Sequence, residues 1–283
     1  MNSQMPIEFT IAPRARAAIK GRWATALPMG FLTGLLYTIL QVVMEMNLTP
    51  SLEKLNVLLE QGYPAEYVLQ WAGQTMTPVL IPVGILMLLS AVITPTLNLG
   101  MHTYAFKLLR GEEGRLADLL SRLPIFFKAL GLSIMVQLRI YLWTMLGVAV
   151  YMLIAFFVLP TGNAQMYMSM LMALAFPAML PGMIAAFRYM MAEYAMANEP
   201  SCGIREAIRI SKRLTHKRKL RLVTLLVGWA SLSYLGGAVL QMFLGPVFGM
   251  ALGMLVSLAC SVYIEMLKAS FYITYRELEE QLT

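Results

Sequence analysis

The residue types that perform chemistry in enzymes are scarce in this 283-residue chain. It has one aspartate, Asp118, and two histidines, His102 and His216, which lie far apart and form no HExxH motif. A zinc site usually needs three or four protein ligands, so these residues predict no metal site. The chain also has no GxSxG nucleophile motif and no glycine-rich phosphate loop. The sequence therefore predicts a protein that is not an enzyme and binds no metal or cofactor.

Basic residues are the one concentrated chemical feature, and eight of the 22 lysines and arginines cluster in and just before the stretch SKRLTHKRKLRL, residues 211–222. The cluster consists of Arg205, Arg209, Lys212, Arg213, Lys217, Arg218, Lys219 and Arg221. A nucleic-acid surface would be expected to add aromatic residues or a reading helix on a soluble fold. No aromatic residue lies between Gly203 and Val227, and a long uncharged run begins at Leu222. The pattern predicts contact with anionic phospholipid headgroups or a partner protein, and no binding to nucleic acid.

The composition indicates that these residues belong to a membrane protein. Hydrophobic residues make up 59% of the chain and charged residues 13%, whereas soluble proteins average about 25% charged residues. A helix needs about 20 consecutive apolar residues to cross the bilayer. Six runs have about this length, at 23–44, 78–101, 140–159, 167–187, 222–244 and 247–264. We therefore predict an all-α polytopic membrane protein with six transmembrane helices in a single domain, residues 1–283.

The distribution of charge predicts how these helices are oriented. Basic residues favour the cytoplasmic side of a membrane, and here they concentrate before residue 23 and in the segments 102–139 and 188–221. The segment 45–77 contains a single lysine, Lys54. It is expected to be an outer loop whose two short helices lie on the membrane surface. Both termini are predicted to be cytoplasmic.

The chain also contains a weak internal repeat. MHTYAFKLLRGEEGRLADLLSR, which begins at Met101, matches MAEYAMANEPSCGIREAIRISK, which begins at Met191, at six of 22 positions. In each copy the end of a span is followed by apolar residues at helical spacing, from Leu116 to Leu123 and from Ile204 to Ser211. The repeat predicts three units, each an amphipathic cytoplasmic helix in the membrane interface followed by a transmembrane hairpin. Shared constraints of topology are the alternative explanation.

Polar residues inside or at the ends of the predicted spans are further candidates for function. They are Arg139, Arg188, Asn98 and Gln137. Each arginine borders an uncharged run, so it either reaches the headgroups as an anchor or is buried, in which case Glu193 or Glu265 is the expected partner of Arg139. The two amides either line a solute pathway or form hydrogen bonds between helices. Prolines in the spans 78–101 and 167–187 favour a pathway, because broken helices surround many transporter sites.

A stripe of small residues marks the sixth predicted span. It consists of Gly245, Gly249, Gly253 and Ser257, spaced four residues apart. Such stripes allow helix backbones to approach closely, and the partner is either another span of this chain or a second copy in a homo-oligomer. The pair Gly245 and Pro246 is expected to break the helix. Cys202 and Cys260 are predicted to lie in a cytoplasmic loop and inside a span, so they are not expected to form a disulfide.

Two stretches of the chain resemble the signature stretches of the DUF975 family of bacterial integral membrane proteins. In the first, ITPTLNLGMHTYAFKLLRGEEGRLADLLSRL, the matching residues are Gly100, Tyr104, Arg110, Gly111 and Glu112. In the second, MAEYAMANEPSCGIREAIRISKRL, they are Asn198, Glu199, Pro200, Ala207, Ser211 and Lys212. RARAAIKGRW near the N-terminus is similar to the opening helix of the family. The resemblance implies a polytopic helical protein of the bacterial plasma membrane, and it supplies no catalytic residues.

Two functions from different classes remain open. The favoured one is a non-enzymatic scaffold or accessory protein whose basic helices contact anionic lipid or a partner membrane protein. The alternative is a transporter of small molecules or lipids, which would use the proline-containing spans 78–101 and 167–187. A polar cavity that reaches Asn98 and Gln137 would favour transport, and a tightly packed apolar interior would exclude it.

Overall fold

The chain folds into α-helices joined by short turns. The computed structural model describes residues 10–158, 164–216 and 218–282, and all regular structure in these residues is helical. The α-helices are α1 (Ile11–Ile19), α2 (Trp23–Glu60), α3 (Ala65–Leu109), α4 (Phe126–Val158), α5 (Ala164–Tyr189), α6 (Ala192–Asn198), α7 (Ile204–Thr215) and α8 (Lys219–Leu282). Two 3₁₀ turns, Leu116–Leu120 and Leu123–Ile125, connect α3 to α4. The predicted all-α class is confirmed.

Four helical stretches among the described residues are long and apolar enough to cross a membrane. They are Ala65–Leu109, Leu116–Ile154, Leu220–Gly245 and Ala251–Gln281. Helix α2 adds a fifth if its two halves, which meet at an angle of 45°, form one span. The predicted span 167–187 falls within α5, which is not among these stretches. By length and composition the helices fit a membrane-embedded protein.

The predicted outer loop at 45–77 is wrong. Helix α2 continues to Glu60 and α3 begins at Ala65, so only a short turn separates them. Gly62 makes this turn with φ of +72°, a conformation that glycine adopts without strain. Leu58 and Val68 are buried near the turn, and Lys54 Nζ lies 5.7 Å from the ring of Trp71. Contact between α2 and α3 therefore keeps both of them helical beyond the apolar runs. They remain helical even at proline residues, which would favour a break.

The packed core lies at one end of the molecule. Its buried side chains come from α1, from the segment 99–108 of α3, from α6 and α7, and from the segment 260–275 of α8. Apolar side chains in the middle of the long helices remain exposed, among them Leu88 (68%), Phe157 (76%) and Met242 (82%). Water-soluble proteins rarely expose such extensive apolar surface, whereas lipid chains cover it without cost.

Helix α1 is held against the last part of α8. Ser270 Oγ donates a hydrogen bond to the carbonyl oxygen of Ile11 at 2.9 Å, and Tyr263 Oη donates to that of Ala12 at 3.3 Å. Arg14 forms a bidentate ion pair with Glu277 at 2.9 and 3.0 Å. The two ends of the described chain therefore lie on the same side of the molecule.

The amphipathic helix predicted from Leu116 to Leu123 is wrong, because the segment forms 3₁₀ turns. Leu119 is buried, but Leu116, Leu120 and Leu123 are about half exposed. Asp118, which such a helix would place on its polar side, is also buried. Its carboxylate accepts hydrogen bonds from Lys107 Nζ at 2.5 Å and from the backbone N–H of Arg115 at 2.8 Å. These local bonds hold the segment against the end of α3.

Helix α7 forms where the repeat predicts a helix, but its apolar side faces protein. Ala207, Ile208 and Leu214 are buried in the core, whereas Arg205 and Arg209 are exposed. The prediction that this side lies against lipid is therefore wrong. Packing against the other helices of the same chain has taken the place of the membrane interface.

The small-residue stripe packs within the chain. Gly245 has φ of +77° and breaks α8, as predicted. After the break, Gly249 and Gly253 face the first half of α8, and a Cβ on Gly249 would lie 2.4 Å from the Cα of Gln241. Ser257 lines a cavity between the two halves. Two partners were predicted for this stripe, another span of the same chain or a second copy. In the structure, the stripe contacts the same chain.

A Gly249→Ala substitution tests this close approach. The added methyl group must push the two halves of α8 apart, so the free energy of unfolding should fall by about 1–3 kcal/mol. The melting temperature of the purified protein in detergent should fall by several degrees. Gly228→Ala is the matched control, since a Cβ there meets no atom within 4 Å. Equal melting temperatures for the two variants would contradict the packing of these halves.

Candidate functional site

A cavity of about 450 Å³ lies beside the packed core, between helices α2, α3, α4, α5, α6 and α8. Its polar wall consists of Thr33, Asn98, His102, Glu193, Tyr194, Ser261, Glu265 and Lys268. Apolar side chains and the glycines of α2 complete the wall. The cavity has the size of a small-molecule site and collects ionisable groups that are rare elsewhere in the spans.

His102 stands at the centre of this wall. Its Nε2 lies 3.3 Å from Glu193 Oε2, and its Nδ1 lies 3.3 Å from Glu265 Oε2. The Nδ1 contact has the distance of an ion pair but lacks the alignment of a hydrogen bond. The imidazole also stacks on the ring of Tyr194, with ring centroids 4.0 Å apart. Both ring nitrogens of His102 therefore face a carboxylate.

Glu265 connects the remaining members of the network. It accepts hydrogen bonds from the phenol of Tyr194 and from Lys268 Nζ, the latter at 2.6 Å. Tyr194 is fully buried, and burial, followed by the charge of the Glu265 carboxylate, holds the pKa of the phenol well above its ordinary range. Tyr194 therefore stays neutral and acts as a hydrogen-bond donor.

Three helices position these groups. His102 lies near the end of α3, and Glu193 and Tyr194 are successive residues in the first turn of the short helix α6. Glu265 and Lys268 lie three residues apart on α8, so they occupy one side of that helix. The arrangement can bind and orient a polar molecule or move a proton among its members. In the described residues, no group of three His, Cys, Asp or Glu residues has the arrangement of a metal site.

The polar residues predicted within the spans are dispersed. Asn98 lines the cavity, but Gln137 is exposed elsewhere on α4, so the predicted sign of a solute pathway, a cavity that reaches both amides, is met only at Asn98. Arg139 does not pair with Glu193 or Glu265, because those carboxylates contact His102 and Lys268 instead. The guanidinium of Arg139 lies 5.6 Å from the ring centroid of Tyr189, the residue that follows Arg188 in the chain. The predicted partner of Arg139 is therefore wrong.

The predicted basic cluster is only partly a free surface. Arg213 pairs with Glu279 at 3.1 Å, and the guanidinium of Arg218 lies 4.3 Å from the ring of Tyr275. Lys212 lies 5.7 Å from the ring of Tyr189. Lys217 lies outside the described residues, and Lys219 and Arg221 belong to the first turn of α8. These contacts tie much of the cluster to the protein itself.

Sequence reasoning underestimated the ionisable network. Glu193, Glu265 and Lys268 were visible as charges near the inner ends of predicted spans, and His102 directly follows the span 78–101. The available signal was the scarcity of acidic and histidine residues, which makes each one near an apolar run a candidate. The residues of this network that contact one another across helices lie about 70 to 165 positions apart in the sequence. No local pattern reveals these contacts.

The residues of the family resemblance lie around this packed end and join its elements. A Cβ on Gly100 would lie 2.1 Å from the carbonyl oxygen of Leu119, so only glycine allows the 3₁₀ turn to approach α3. Arg110 Nη2 donates a 2.7 Å hydrogen bond to Asn198 Oδ1 and thereby connects the two signature stretches. Ser211 Oγ donates to the carbonyl oxygen of Arg188 at 2.8 Å. These roles are structural.

A Tyr194→Phe substitution tests the network. It removes the donor to Glu265 and leaves a buried carboxylate oxygen with fewer partners, so stability should fall by about 1–3 kcal/mol. Tyr272→Phe is the matched control, because its buried hydroxyl has no hydrogen-bond partner in the described residues. Thermal unfolding in detergent should show a lower melting temperature for Tyr194→Phe only. Equal losses in the two variants would contradict the role of the Tyr194 hydroxyl.

Cys202 is buried between α6 and α7, and its reactivity is predictable. Burial, and then the charges of Glu206 and Glu199, raise the pKa of this thiol from 9.0 to about 11. In a Cys260→Ser variant, iodoacetamide should label Cys202 slowly at pH 8 and faster as the pH approaches 11, because the thiolate is the reactive form.

The control places a cysteine at the exposed neighbour Ser201, in a background in which both native cysteines are serine. That variant should react rapidly at pH 8. Equal labelling rates at Cys202 and at the control position would contradict the raised pKa.

Comparison with known proteins gives one match. The model of a family described as "Protein of unknown function (DUF975)" matches residues 8–279. Neither a curated protein nor a solved structure matches the chain. The family match covers nearly the whole sequence and includes both stretches that carry the resemblance. The chain belongs to the DUF975 family.

Proposed function

We propose that this chain is a membrane transport protein that binds a small polar solute in the cavity beside His102. The observation that carries the proposal is the ionisable wall, in which His102, Glu193, Glu265 and Lys268 meet next to an open volume of about 450 Å³. Charged groups beside apolar helices are costly, and in membrane proteins they commonly mark solute or proton pathways.

The charges on the wall favour a particular class of solute. Glu193 and Lys268 are partly exposed, with side-chain exposures of 29% and 20%, and they carry opposite charges. A small zwitterion, or a neutral molecule with several hydrogen-bonding groups, matches a wall of mixed sign. A strongly anionic or strongly cationic solute would meet one repelling group. The proposal includes no catalytic step.

The orientation in the membrane is part of the same proposal. We place α2, α3, α4, α5 and the two halves of α8 across a bacterial plasma membrane, with the packed end on the cytoplasmic side. The basic residues of α1 and α7 support this orientation, because basic residues are retained on the cytoplasmic side. Both termini are then cytoplasmic.

A second function is favoured by Arg205 and Arg209. Both are exposed on α7, in a part of the basic cluster where no ion pair engages them in the described residues. They suit contact with anionic lipid or with an acidic partner protein, as in a scaffold or accessory subunit. The two functions are compatible, since they use different faces of the molecule.

Cysteine labelling tests whether water reaches the cavity. In a background with Cys202→Ser and Cys260→Ser, we expect Thr33→Cys and Asn98→Cys to react with a charged methanethiosulfonate that cannot cross membranes. Both positions line the cavity. The Leu88→Cys control, on the exposed apolar side of α3, should not react, because a thiolate does not form in hydrocarbon.

The same assay tests the class of solute. Individual amino acids, added one at a time, should slow the reaction at Asn98→Cys if a zwitterion occupies the cavity. Reagent applied to right-side-out and to inverted vesicles identifies the side that is open. Absence of reaction at both cavity positions from both sides would contradict a transport function.

A further inference from the structure

Two basic side chains from two helices lie over the ring of Tyr189, and a third basic residue precedes Tyr189 in the chain. The guanidinium of Arg139, on α4, lies 5.6 Å from the ring centroid, and Lys212 Nζ, on α7, lies 5.7 Å from it. Arg188, on α5, is the residue next to Tyr189. Tyr189 also lines the cavity, but these three basic residues do not, and the transport proposal does not use them.

Among the residues that the structure describes, no acidic group pairs with these three cations. In the described residues, no ion pair involves Arg139, Arg188 or Lys212, and the nearest acid in sequence, Glu193, is engaged with His102. Burial, and then the charges of Arg188 and Arg139, lower the pKa of Lys212, which is the direction expected for an ammonium group beside other cations. Mutual repulsion without compensation is unfavourable, and an anion would remove it.

A hydrogen-bond donor in the group has no partner. Arg139 Nη1 is inaccessible to solvent and makes no hydrogen bond to any described residue. Buried donors in folded proteins almost always have an acceptor, and a small shift of this guanidinium toward a bound anion would provide the one that Nη1 lacks. An arginine that offers N–H groups beside a lysine charge suits the oxygens of a phosphate.

The site is held in place by its surroundings. Ser211 Oγ and Thr215 Oγ1 donate hydrogen bonds to the carbonyl oxygen of Arg188, at 2.8 and 3.3 Å. These bonds fix α7 against the end of α5, so Lys212 stays beside Arg188. Tyr189 is buried and provides a rigid surface for the cations. A preorganised arrangement costs little to occupy.

We propose that Arg139, Arg188 and Lys212, arranged around Tyr189, bind the phosphate group of an anionic membrane lipid. Two sources could supply this chemistry, a lipid headgroup or free phosphate. The position favours the lipid, because Arg139 and Arg188 adjoin the long uncharged runs 140–159 and 167–187, where headgroups meet the hydrocarbon.

Lipid retention in nanodiscs tests the site. The full chain is reconstituted in phosphatidylcholine alone or with added phosphatidylglycerol, and bound lipid is measured by native mass spectrometry. The double variant Arg139→Gln, Lys212→Gln should bind phosphatidylglycerol at least about tenfold more weakly than the wild type, since two charge-assisted contacts are lost. The control Arg16→Gln, Lys20→Gln, which removes one arginine and one lysine from exposed positions in and next to α1, should bind like the wild type.

A stability readout separates binding from packing. In phosphatidylcholine alone, the Arg139, Lys212 double variant should melt at the wild-type temperature or above it, because repulsion is relieved. Phosphatidylglycerol should raise the melting temperature of the wild type and of the control but not that of this variant.

Three results would overturn the proposal. One is equal retention of phosphatidylglycerol by the double variant and the control. Another is a melting temperature of the double variant below that of the wild type in phosphatidylcholine, since the cations would then serve packing. The third is stabilisation of the wild type by inorganic phosphate in phosphatidylcholine nanodiscs with no response to phosphatidylglycerol, which would assign the site to the free ion.

Discussion

The charged groups beside the apolar helices must satisfy one another, and this requirement holds the packed end together. His102 on α3 lies between Glu193 on α6 and Glu265 on α8, and Lys268 and Tyr194 complete the coordination of Glu265. Removal of one member of such a buried set typically costs several kcal/mol, because the remaining charge loses its partner. The three helices are therefore fixed relative to one another where the network lies. The same contacts fix the side chains that line the adjacent cavity.

The arrangement explains why most of the buried side chains lie at one end. Short elements, namely α1, α6, α7 and the 3₁₀ turns, surround the inner ends of the long helices and bury them. Farther along, the helices meet mainly through small residues, such as Gly147 against the backbone of Ala178 and Gly249 against that of Gln241. The remaining apolar surface fits lipid chains, and close approach of backbones at small residues is a common way for helices to associate in a membrane.

The sequence was informative where one local property decided the outcome. Long apolar runs predicted the all-α class and the region of the four candidate spans, and Gly245 predicted the break in α8.

Prediction from the sequence failed where contacts between distant parts of the chain outweighed the local pattern. The segment 45–77 carries proline and cap residues typical of a break, yet contact between α2 and α3 keeps both helices intact. The apolar spacing from Leu116 to Leu123 fits a helix, but the bonds of Asp118 tighten the segment into 3₁₀ turns. The His102 network was not predicted because its members are distant in sequence.

The docking of α1 on α8 has a consequence for the order of biogenesis. The contacts of α1 are made by residues that the ribosome adds about 250 positions later, among them Ser270 and Glu277. Until that part of the chain has been synthesised, the apolar side of α1, with Ile11 and Ile19, lacks the larger part of its protein contacts and has only α3 to pack against. The packed end is therefore closed in the last stage of synthesis, after the intervening apolar segments have left the ribosome.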